Sequence, residues 1–482
     1  MALPEAFTAP FDYFREALSF LEKYAWIYQN ANTCFLKAGT LEQMPQTFRN
    51  YFMQIDNNEL NTFPLIHQSF NALTIPDLLE FREKVARLTP LHACREVEVE
   101  GEMNSSLTRA RKLKSKKQHE IIKLTRKINE NLNKEGIAAE RYILVDFGAG
   151  LGYLGEMLYE LNHNYRILGL ETNSYRIRKA TQRFEETKKI SESRSSIIYI
   201  QHYITEESSA FIENAIMENF KYNYATAEKL KASTRLAIIG LHACADLTIT
   251  SMKLFFKMPQ VDHLIIMPCC YHKLEMCNTT FKFRNFPLSE AFKDALHNAQ
   301  SHTVDNNYVR YLNRPFLRLA CQQTSKRWSK CSSEYHRLHG IEMFLRALAE
   351  AIIDESETIH KFKSRKPLDL SLLKDFKEFR QLYELREKAT NVTLRWRVEH
   401  EKRYKAFLRK YENCDGSKLA EGLICLQTTM QKMCENLVLY DRLYYMQELG
   451  QNLQMRIQVH YEKLLDEELS PRCHVLIAKK LQ

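Results

Sequence analysis

A glycine-rich segment contains the residues best suited to holding a small ligand. It runs from Val145 to Leu154 (VDFGAGLGYL), follows an apolar run and opens a helical pattern. Glycine adopts positive φ and has no side chain, so the backbone can approach a ligand closely. We predict that this loop binds a cofactor through Asp146, Gly148, Gly150, Gly152, Tyr153 and Leu154.

The spacing of these glycines distinguishes two classes of ligand. A dinucleotide loop of the pattern GxGxxG that starts at Gly148 needs glycine at position 153, where this chain has Tyr153. The pattern present is DxGxGxG, which favours S-adenosylmethionine over NAD. An NAD-dependent oxidoreductase is therefore a weaker alternative, and unequal stabilisation of the protein by the two cofactors would distinguish them.

Residues that follow the next two apolar runs extend the predicted cofactor site. Glu171 ends the run LGLE, where a carboxylate accepts hydrogen bonds from both ribose hydroxyls, and Thr172 follows it. The alternative, that Glu171 only caps the next helix, is disfavoured by the glycine loop. His202 occupies the usual adenine-contacting region, although the acidic residue often found there is absent. We expect Asp146 to orient the loop and the cofactor amine.

Histidine, cysteine and aspartate cluster after the fourth and fifth apolar runs. Because the carboxyl ends of parallel strands meet at one edge of a sheet, these side chains should converge there. Transfer of a methyl group needs in-line positioning, and a base where the acceptor must lose a proton. We predict His242 or His272 as that base, and Asp246 as a substrate ligand or helix cap.

Nearby cysteines raise the question of a metal site. Cys244, Cys269, Cys270 and His272 have the right chemistry for zinc. Adjacent cysteines on an extended segment, however, point in opposite directions and do not easily share one ion. Burial as small apolar residues is the simpler interpretation, so we predict no metal.

The apolar runs themselves predict the fold. Five of them alternate with helix-length segments between Tyr142 and Met267, which is typical of a parallel sheet with crossover helices. A helix at 436–449 and strands at 455–461 and 474–478 would complete it. The fold class is therefore α/β, a class I (Rossmann-like) seven-stranded methyltransferase sheet with helical additions.

The helical additions divide the chain into four predicted segments. Residues 1–112 form an N-terminal helical region, and residues 113–285 form the core with the first five strands. Residues 286–430 read as a mostly helical insertion, with an exposed turn or linker at Lys361 to Lys366, and residues 431–482 complete the core.

Composition limits the compartment and the partners. The 482 residues include 12 cysteines without a framework spacing, which indicates reduced thiols in the cytosol or nucleus. We expect no membrane span and no secretion signal. The net charge of +10 is compatible with a nucleic-acid substrate but modest for this length, and the basic run Arg109 to Lys117 is equally explained as a solvated helix entry.

Several longer motifs make the chain resemble the methyltransferase-like protein 25 family. They are KSKKQHEI at 114–121, VDFGAGLGYLG at 145–155, GLHACADLT at 240–248, PCCYHKL at 268–274, FPLS at 286–289, LACQ at 319–322, LYDRLYYMQELG at 439–450 and SPRCHVLIAKK at 470–480, with a looser match at 44–52. The resemblance implies a class I methyltransferase that uses S-adenosylmethionine. One departure is Ala245, where the family usually has glycine, and this puts the turn after the fourth strand in doubt.

The same motifs bear on the methyl acceptor. Some relatives have names that allude to ribosomal RNA adenine dimethylation, but this chain lacks the Asn-Pro-aromatic element of such enzymes and has LHAC at 241–244. GLHACADLT and PCCYH look more like elements of tRNA ribose methyltransferases. The acceptor is therefore expected to be RNA, including a ribose hydroxyl, or protein, and not DNA. A catalytically silent binding or assembly protein with the same fold is the main alternative.

Overall fold

The computed structural model describes residues 2–68, 75–91, 113–134, 141–187, 196–220, 235–301, 308–362, 375–412 and 414–481. The strands in these ranges are β1 (Tyr142–Phe147), β2 (Arg166–Glu171), β3 (Ile197–Gln201), β4 (Arg235–Cys244), β5 (Val261–Cys269), β6 (Glu357–Lys361), β7 (Tyr383–Glu387), β8 (Thr393–Leu394), β9 (Ile457–Lys463) and β10 (His474–Lys480).

The α-helices of the same ranges fall before, between and after these strands. They are α1 (Pro10–Lys23), α2 (Thr40–Gln43), α3 (Gln46–Gln54), α4 (Asn57–Thr62), α5 (Pro76–Leu88), α6 (Ser115–Asn133), α7 (Tyr153–Leu161), α8 (Ser174–Thr187), α9 (Ser209–Phe220), α10 (Asp246–Lys257), α11 (Glu290–Ser301), α12 (Arg314–Leu319), α13 (Ser325–Trp328), α14 (Ser333–Ile352), α15 (Phe376–Phe379), α16 (Val398–Lys410) and α17 (Gly416–Asn452). None of the described helices is long and apolar enough to cross a bilayer.

Seven of the strands form one sheet in the order β3-β2-β1-β4-β5-β10-β9. Strands β1 to β5 pair in parallel, whereas β10 lies antiparallel between β5 and β9. The order reverses at β1 and β4, so ligands are expected at the carboxyl ends of these strands. This sheet confirms the predicted class I, Rossmann-like fold, including its completion by two strands from the C-terminal part of the chain.

Burial explains why the sequence forms this sheet. Every residue of β1 is buried, as expected of a central parallel strand covered on both faces. Helix α6 covers one face with Ile121, Leu124, Ile128 and Leu132, which share a core cluster with Leu144 and other sheet residues. The predicted end of this helix at Gly136 lies outside the described residues.

The chain divides into two compact units. The sheet unit contains Met1–Arg15, Pro90–Asn306 and Glu435–Gln482, and the helical unit contains Glu16–Thr89 and Asn307–Cys434. Each unit is thus built from separate stretches of chain. Of the predicted basic run Arg109 to Lys117, residues 109–112 are outside the described residues, as are residues 363–366 of the predicted linker.

The helical unit has its own core. The indole of Trp328 is fully buried and donates a hydrogen bond to the carbonyl oxygen of Leu60 at 2.8 Å. Gly422 allows close packing, since a Cβ there would lie 2.4 Å from the ring of Phe52. A small antiparallel sheet, β6-β7-β8, lies in the stretch that was predicted to be mostly helical.

Two of the quoted motifs contact each other within the sheet unit. Asp441 of α17 is fully buried and accepts hydrogen bonds from the amides of Leu288 and Ser289 at 2.8–3.0 Å and from the Ser289 hydroxyl at 2.9 Å. Burial raises the pKa of Asp441 to about 6, although these hydrogen bonds oppose the rise. The carboxylate therefore fixes the start of α11 to the long helix.

Candidate active site

The glycine loop is held against the end of β2. Gly148, Gly150 and Gly152 have φ values of 73°, 60° and 75°, a region that L side chains rarely adopt. The amides of Gly148 and Ala149 both donate to the carbonyl oxygen of Leu170, at 2.9 and 3.0 Å. The loop therefore has the conformation that the sequence predicted and is anchored to the neighbouring strand.

The glycines of this region serve two different purposes. A Cβ at Gly152 would lie 2.3 Å from the Tyr199 hydroxyl, and one at Gly169 would lie 2.4 Å from the same ring. Tyr199 also donates to the carbonyl oxygen of Gly152 at 3.1 Å. A Cβ at Gly150 would have the carbonyl oxygen of Gly148 as its nearest neighbour, at 3.8 Å, so Gly150 faces open space. Gly152 makes room for Tyr199, a residue that the sequence analysis missed.

Glu171 joins the loop to the turn after β2. Its carboxylate is buried and accepts from the amides of Gly150 and Asn173, both at 3.0 Å. The Thr172 hydroxyl also donates to it, at 3.1 Å. The predicted residues Glu171, Thr172 and Gly150 therefore meet at one place, and the contact of this carboxylate with ribose hydroxyls stays a prediction.

Asp146, at the end of β1, is buried beneath the loop. Burial raises its pKa to about 7, and the charge of Glu171 adds to the rise while Lys117 of α6 opposes it. Burial lowers the pKa of Lys117, although the negative charges of Glu120 and Asp146 oppose this. A cationic ligand group beside Asp146 would favour its ionised form, which fits the expected contact with a cofactor amine.

The first turn of α7 is stabilised by a cation stacked on an aromatic ring. The guanidinium of Arg183 lies 3.9 Å from the centre of the Tyr153 ring and pairs with buried Glu156 at 2.6 Å. It also donates to the carbonyl oxygen of Leu151. The predicted residue Leu154 is buried beside this turn. Arg183 thus supports the loop from α8, and nothing in the loop motif indicated it.

His202 lies after β3 and is engaged locally. Its ring stacks on Phe211 with the ring centres 3.8 Å apart, and its Nε2 lies 2.8 Å from the Ser208 hydroxyl. Its backbone amide donates to the carbonyl oxygen of Glu171 at 3.0 Å. Burial lowers the pKa of this histidine. Its predicted role in binding adenine stays a prediction.

The end of β4 presents a histidine paired with a buried carboxylate. Nε2 of His242 lies 3.4 Å from Oε2 of Glu120, and 40% of the His242 side chain is exposed. The Ser470 hydroxyl donates to the other oxygen of Glu120 at 2.9 Å. Burial would raise the pKa of Glu120, but the hydrogen bonds from His242 and Ser470 lower it overall. The three side chains line one small pocket with Leu241, Met267, Pro268, Cys269 and Arg472.

Glu120 is the functional candidate that sequence reasoning missed. It belongs to KSKKQHEI, while His242 belongs to GLHACADLT and Ser470 to SPRCHVLIAKK. The three quoted motifs therefore converge at one pocket, although 122 residues of chain separate Glu120 from His242. The one sequence signal that could have identified Glu120 was its position as an acidic residue within the motif KSKKQHEI.

Asp246 accepts hydrogen bonds from the loop after β5, and its predicted role as a substrate ligand or helix cap stays a prediction. Its two oxygens accept from the Glu275 amide at 2.9 Å and from the Asn285 side chain at 2.8 Å, so it fixes the loop after β5. Before it, Ala245 has φ 50° and ψ −123°. This is a conformation that favours glycine, so alanine at this position makes the turn strained.

Three thiols come together at the ends of β4 and β5. The sulfurs of Cys244, Cys269 and Cys270 all lie within 4.8 Å of one another, and the first two are 2.9 Å apart. The premise that the adjacent cysteines are extended is wrong, because Cys270 is left-handed with φ 53° and ψ 45°. Hydrogen bonds from the other two thiols lower the pKa of Cys270. His272 lies half-buried in the 3-10 turn Tyr271–Lys273 and is not one of the three grouped residues.

A separate cavity of about 330 Å³ lies within the helical unit. Its lining combines apolar and charged side chains, among them Phe52, Leu60, His336, Arg337, Lys418 and Glu421. One carboxylate oxygen of Glu421 lies 2.6 Å from Nδ1 of His336, and the other lies 2.6 Å from Nδ1 of His339. None of the predicted site residues lines this cavity.

The fold and the glycine loop define a class I methyltransferase domain. In agreement, residues 116–277 match a family model described as a methyltransferase domain. The glycines, Glu171 and Asp146 fit the loop, hydroxyl and amine contacts that S-adenosylmethionine requires, and it is the methyl donor of such domains.

Solved structures of two other methyltransferases are similar at low identity. The plantazolicin methyltransferase BpumL in complex with SAH is 11% identical, covering 70% of this chain and 95% of its own, with a TM-score of 0.20. Coclaurine N-methyltransferase bound to N-methylheliamine and SAH is 10% identical, covering 98% and 94%, with a TM-score of 0.23. At these scores the fold assignment rests on the sheet order and the matched domain.

Proposed function

We propose that the chain methylates a macromolecular acceptor whose attacking atom loses a proton to His242. The observation that carries this proposal is the pair of His242 and buried Glu120 at the carboxyl end of β4, two strands from β2 and its Glu171. A carboxylate next to an imidazole fixes its orientation and stabilises the protonated ring. Glu120 is a positioning residue in this scheme, and Ser470 orients its carboxylate in turn.

The steps of the reaction assign a role to each group. S-adenosylmethionine, when bound, supplies a methyl group on a positively charged sulfur. Attack by the acceptor oxygen or nitrogen on the methyl carbon would break the carbon–sulfur bond, and the electron pair of that bond would return to sulfur. The acceptor's proton moves to Nδ1 of His242, the ring nitrogen that does not face Glu120, and later to water. Asp146, Glu171 and the loop hold the donor in line, which is the main requirement of such a transfer.

We propose RNA as the acceptor class, with a ribose hydroxyl as the first candidate and a protein side chain as the second. A hydroxyl needs a base, which the His242 pair would provide. The resemblance of GLHACADLT and PCCYH to elements of tRNA ribose methyltransferases supports the same choice. The convergence of three motifs on one pocket also supports our assignment of the chain to the methyltransferase-like protein 25 family.

Transfer of labelled methyl groups from S-adenosylmethionine tests this function. We expect the purified chain to label the RNA fraction of a cell extract, in material that ribonuclease digests and protease does not. Label that only protease removes would move the acceptor to protein. No label in either fraction, from a chain that binds the cofactor, would favour the silent scaffold.

The His242→Asn variant tests the proposed base. We expect its turnover to fall by about 10²- to 10⁴-fold, the usual contribution of general base catalysis, with unchanged affinity for S-adenosylmethionine. Glu120→Gln, which keeps a hydrogen-bonding group without the charge, should retain more activity than Glu120→Ala. His163→Asn, at an exposed histidine, is the matched control. Full activity of His242→Asn would exclude the role of base.

A further inference from the structure

We propose that Cys244, Cys269 and Cys270 bind one zinc ion through three thiolates and leave its fourth coordination position open. This site goes beyond the proposed function and is independent of it, because metal binding can be measured without methyl transfer. Zinc is the preferred ion because sulfur ligands suit it and because three cysteines in a compact group provide tetrahedral directions.

The geometry of the three sulfurs fits one ion. Zinc–sulfur bonds of about 2.3 Å place tetrahedral ligands roughly 3.8 Å apart. All three sulfurs already lie within 4.8 Å of one another, and those of Cys244 and Cys269 are 2.9 Å apart. Binding of one ion would therefore move the sulfurs of Cys244 and Cys269 apart by about 0.9 Å.

The backbone explains why three cysteines can converge. Cys244 and Cys269 end neighbouring parallel strands and are directly paired in register. Cys270 then takes a left-handed conformation, which turns its side chain back instead of away. Such a conformation is strained for a residue with a Cβ, and strain of this kind is concentrated at functional sites.

The partial exposure of the thiols and the positive charges near them favour ion binding over the burial of these cysteines as apolar side chains. Cys269 is buried, but Cys244 and Cys270 are only partly buried, so an ion has an entry path. Zinc with three thiolates carries one net negative charge. Lys273 and Arg472 lie close enough to interact with Cys270 electrostatically and would offset that charge.

A second group of possible metal ligands in the described residues is explained by ion pairs instead. Asp354, Glu357 and His400 of the helical unit also lie close together. Arg397 pairs with both carboxylates, at 2.5 and 2.7 Å, and Arg403 pairs with Asp354 at 2.7 Å. These cations already neutralise the acidic groups, so this group is an ion-pair network and not a metal site.

The ligand at the fourth coordination position of zinc distinguishes a structural site from one that can bind a water or a substrate. Structural zinc sites have four protein ligands, whereas sites that bind a water or a substrate have three. Among the residues that the structure describes, the group contains three ligands and no fourth histidine, cysteine or carboxylate. The open position would lie at the carboxyl ends of β4 and β5, on the edge where the acceptor is expected.

Cobalt titration of the full chain, stripped of metal and kept under a phosphine reductant, tests the site. Cobalt takes zinc ligands and reports them by sulfur-to-cobalt charge-transfer bands and visible bands. We expect saturation at one equivalent in the wild type. Cys244→Ser, Cys269→Ser and Cys270→Ser should each weaken binding by at least about tenfold. Cys277→Ser, at an exposed cysteine outside the group, is the matched control.

Two measurements on the wild type avoid any dependence on how the variants fold. Zinc should add the mass of one ion in native mass spectrometry and should protect Cys244 and Cys270, but not Cys277, from alkylation. Absence of charge-transfer bands, or alkylation unchanged by zinc, would overturn the site. Addition of 2-mercaptoethanol should shift the visible cobalt bands, and an unchanged spectrum would contradict an open fourth position.

Discussion

At the scale of single residues, a few buried charges define how the domain would hold its cofactor. Glu171 is occupied by the amides of Gly150 and Asn173, and Asp146 is buried with a pKa raised to about 7. A buried carboxyl with a raised pKa costs free energy when it ionises, unless a cation approaches. S-adenosylmethionine provides such a cation in its amine, so cofactor binding and ionisation of Asp146 should be coupled.

The first prediction concerns the pH dependence of this binding. Because the cationic cofactor favours ionised Asp146, affinity should fall as the pH falls through about 7. Between pH 7 and pH 5.5 we expect a loss on the order of tenfold, since about one pH unit below the pKa costs a factor of ten. Calorimetric titration across this range measures the effect. Asp146→Asn controls for titration of the ligand itself, and an equal pH dependence in this variant would contradict the coupling.

The second prediction concerns Glu171. Its replacement by alanine removes the expected contacts to the ribose hydroxyls and frees the Gly150 amide. Hydrogen bonds to a charged group contribute about 1.5–3 kcal/mol, so affinity for S-adenosylmethionine should fall by roughly 10- to 100-fold. Glu185→Ala, at an exposed carboxylate on α8, should bind normally. Unchanged binding by Glu171→Ala would remove Glu171 from the site.

At the scale of elements, the turn between β4 and α10 combines strain with function. It holds Ala245 at a glycine-like φ, and on either side of it lie Cys244 and the loop-fixing Asp246. The Ala245 amide donates to the carbonyl oxygen of Cys269 at 3.0 Å, so the turn is tied to β5. The surrounding hydrogen bonds therefore maintain a conformation that alanine disfavours.

Replacement of Ala245 by glycine should stabilise the protein. Relief of backbone strain of about 1–3 kcal/mol is offset by roughly 0.5–1 kcal/mol of extra chain entropy, for a net gain near 1 kcal/mol. Urea unfolding measures the change. Ala243→Gly, at a buried position near the end of β4, should destabilise instead. A loss of stability in Ala245→Gly would show that the turn is not strained.

The elements also show how far the sequence could predict the structure. Buried parallel strands need apolar residues on both faces, so YILVDF was recognisable and matches β1 at both ends. Glu120 and Tyr199 were missed because their contacts join residues that are 122 and 47 positions apart in the chain. The turn at Cys270 was mistaken for extended chain because the pairing of β4 with β5, and not the local sequence, sets it.

At the scale of the whole molecule, the chain leaves the sheet after β5 and returns to it with β9 and β10. The order β5-β10-β9 means that the C-terminal strands cover an edge that β5 would otherwise expose. Residues 116–277, which match the methyltransferase domain, do not include them. The sheet is therefore complete only after the ribosome has synthesised the long stretch of chain between β5 and β9.

Truncation tests this dependence. A chain that ends at Asn452 lacks Val475, Leu476 and Ile477, all buried in β10. Burial of such side chains contributes about 1.5–3 kcal/mol each, which together approaches the entire 5–15 kcal/mol stability of a typical protein. We expect an unfolded or aggregated product by circular dichroism and gel filtration. A chain that ends at Lys480 should fold, and a folded chain ending at Asn452 would contradict the assigned role of β10.

The central claim is that the loop at Gly148 to Gly152 binds S-adenosylmethionine, and calorimetric titration of the full chain tests it most directly. A Cβ at Gly150 meets open space, and the backbone strain of a side chain at φ 60° costs about 1–2 kcal/mol, well below the stability of a typical protein. Gly150→Arg should therefore stay folded and should abolish binding by filling that space. Leu161→Arg, an exposed position at the end of α7, controls for the added charge. Binding by the wild type and Leu161→Arg, lost only in a folded Gly150→Arg, is the predicted result. Absence of binding by the wild type, or equal binding by all three, would contradict it.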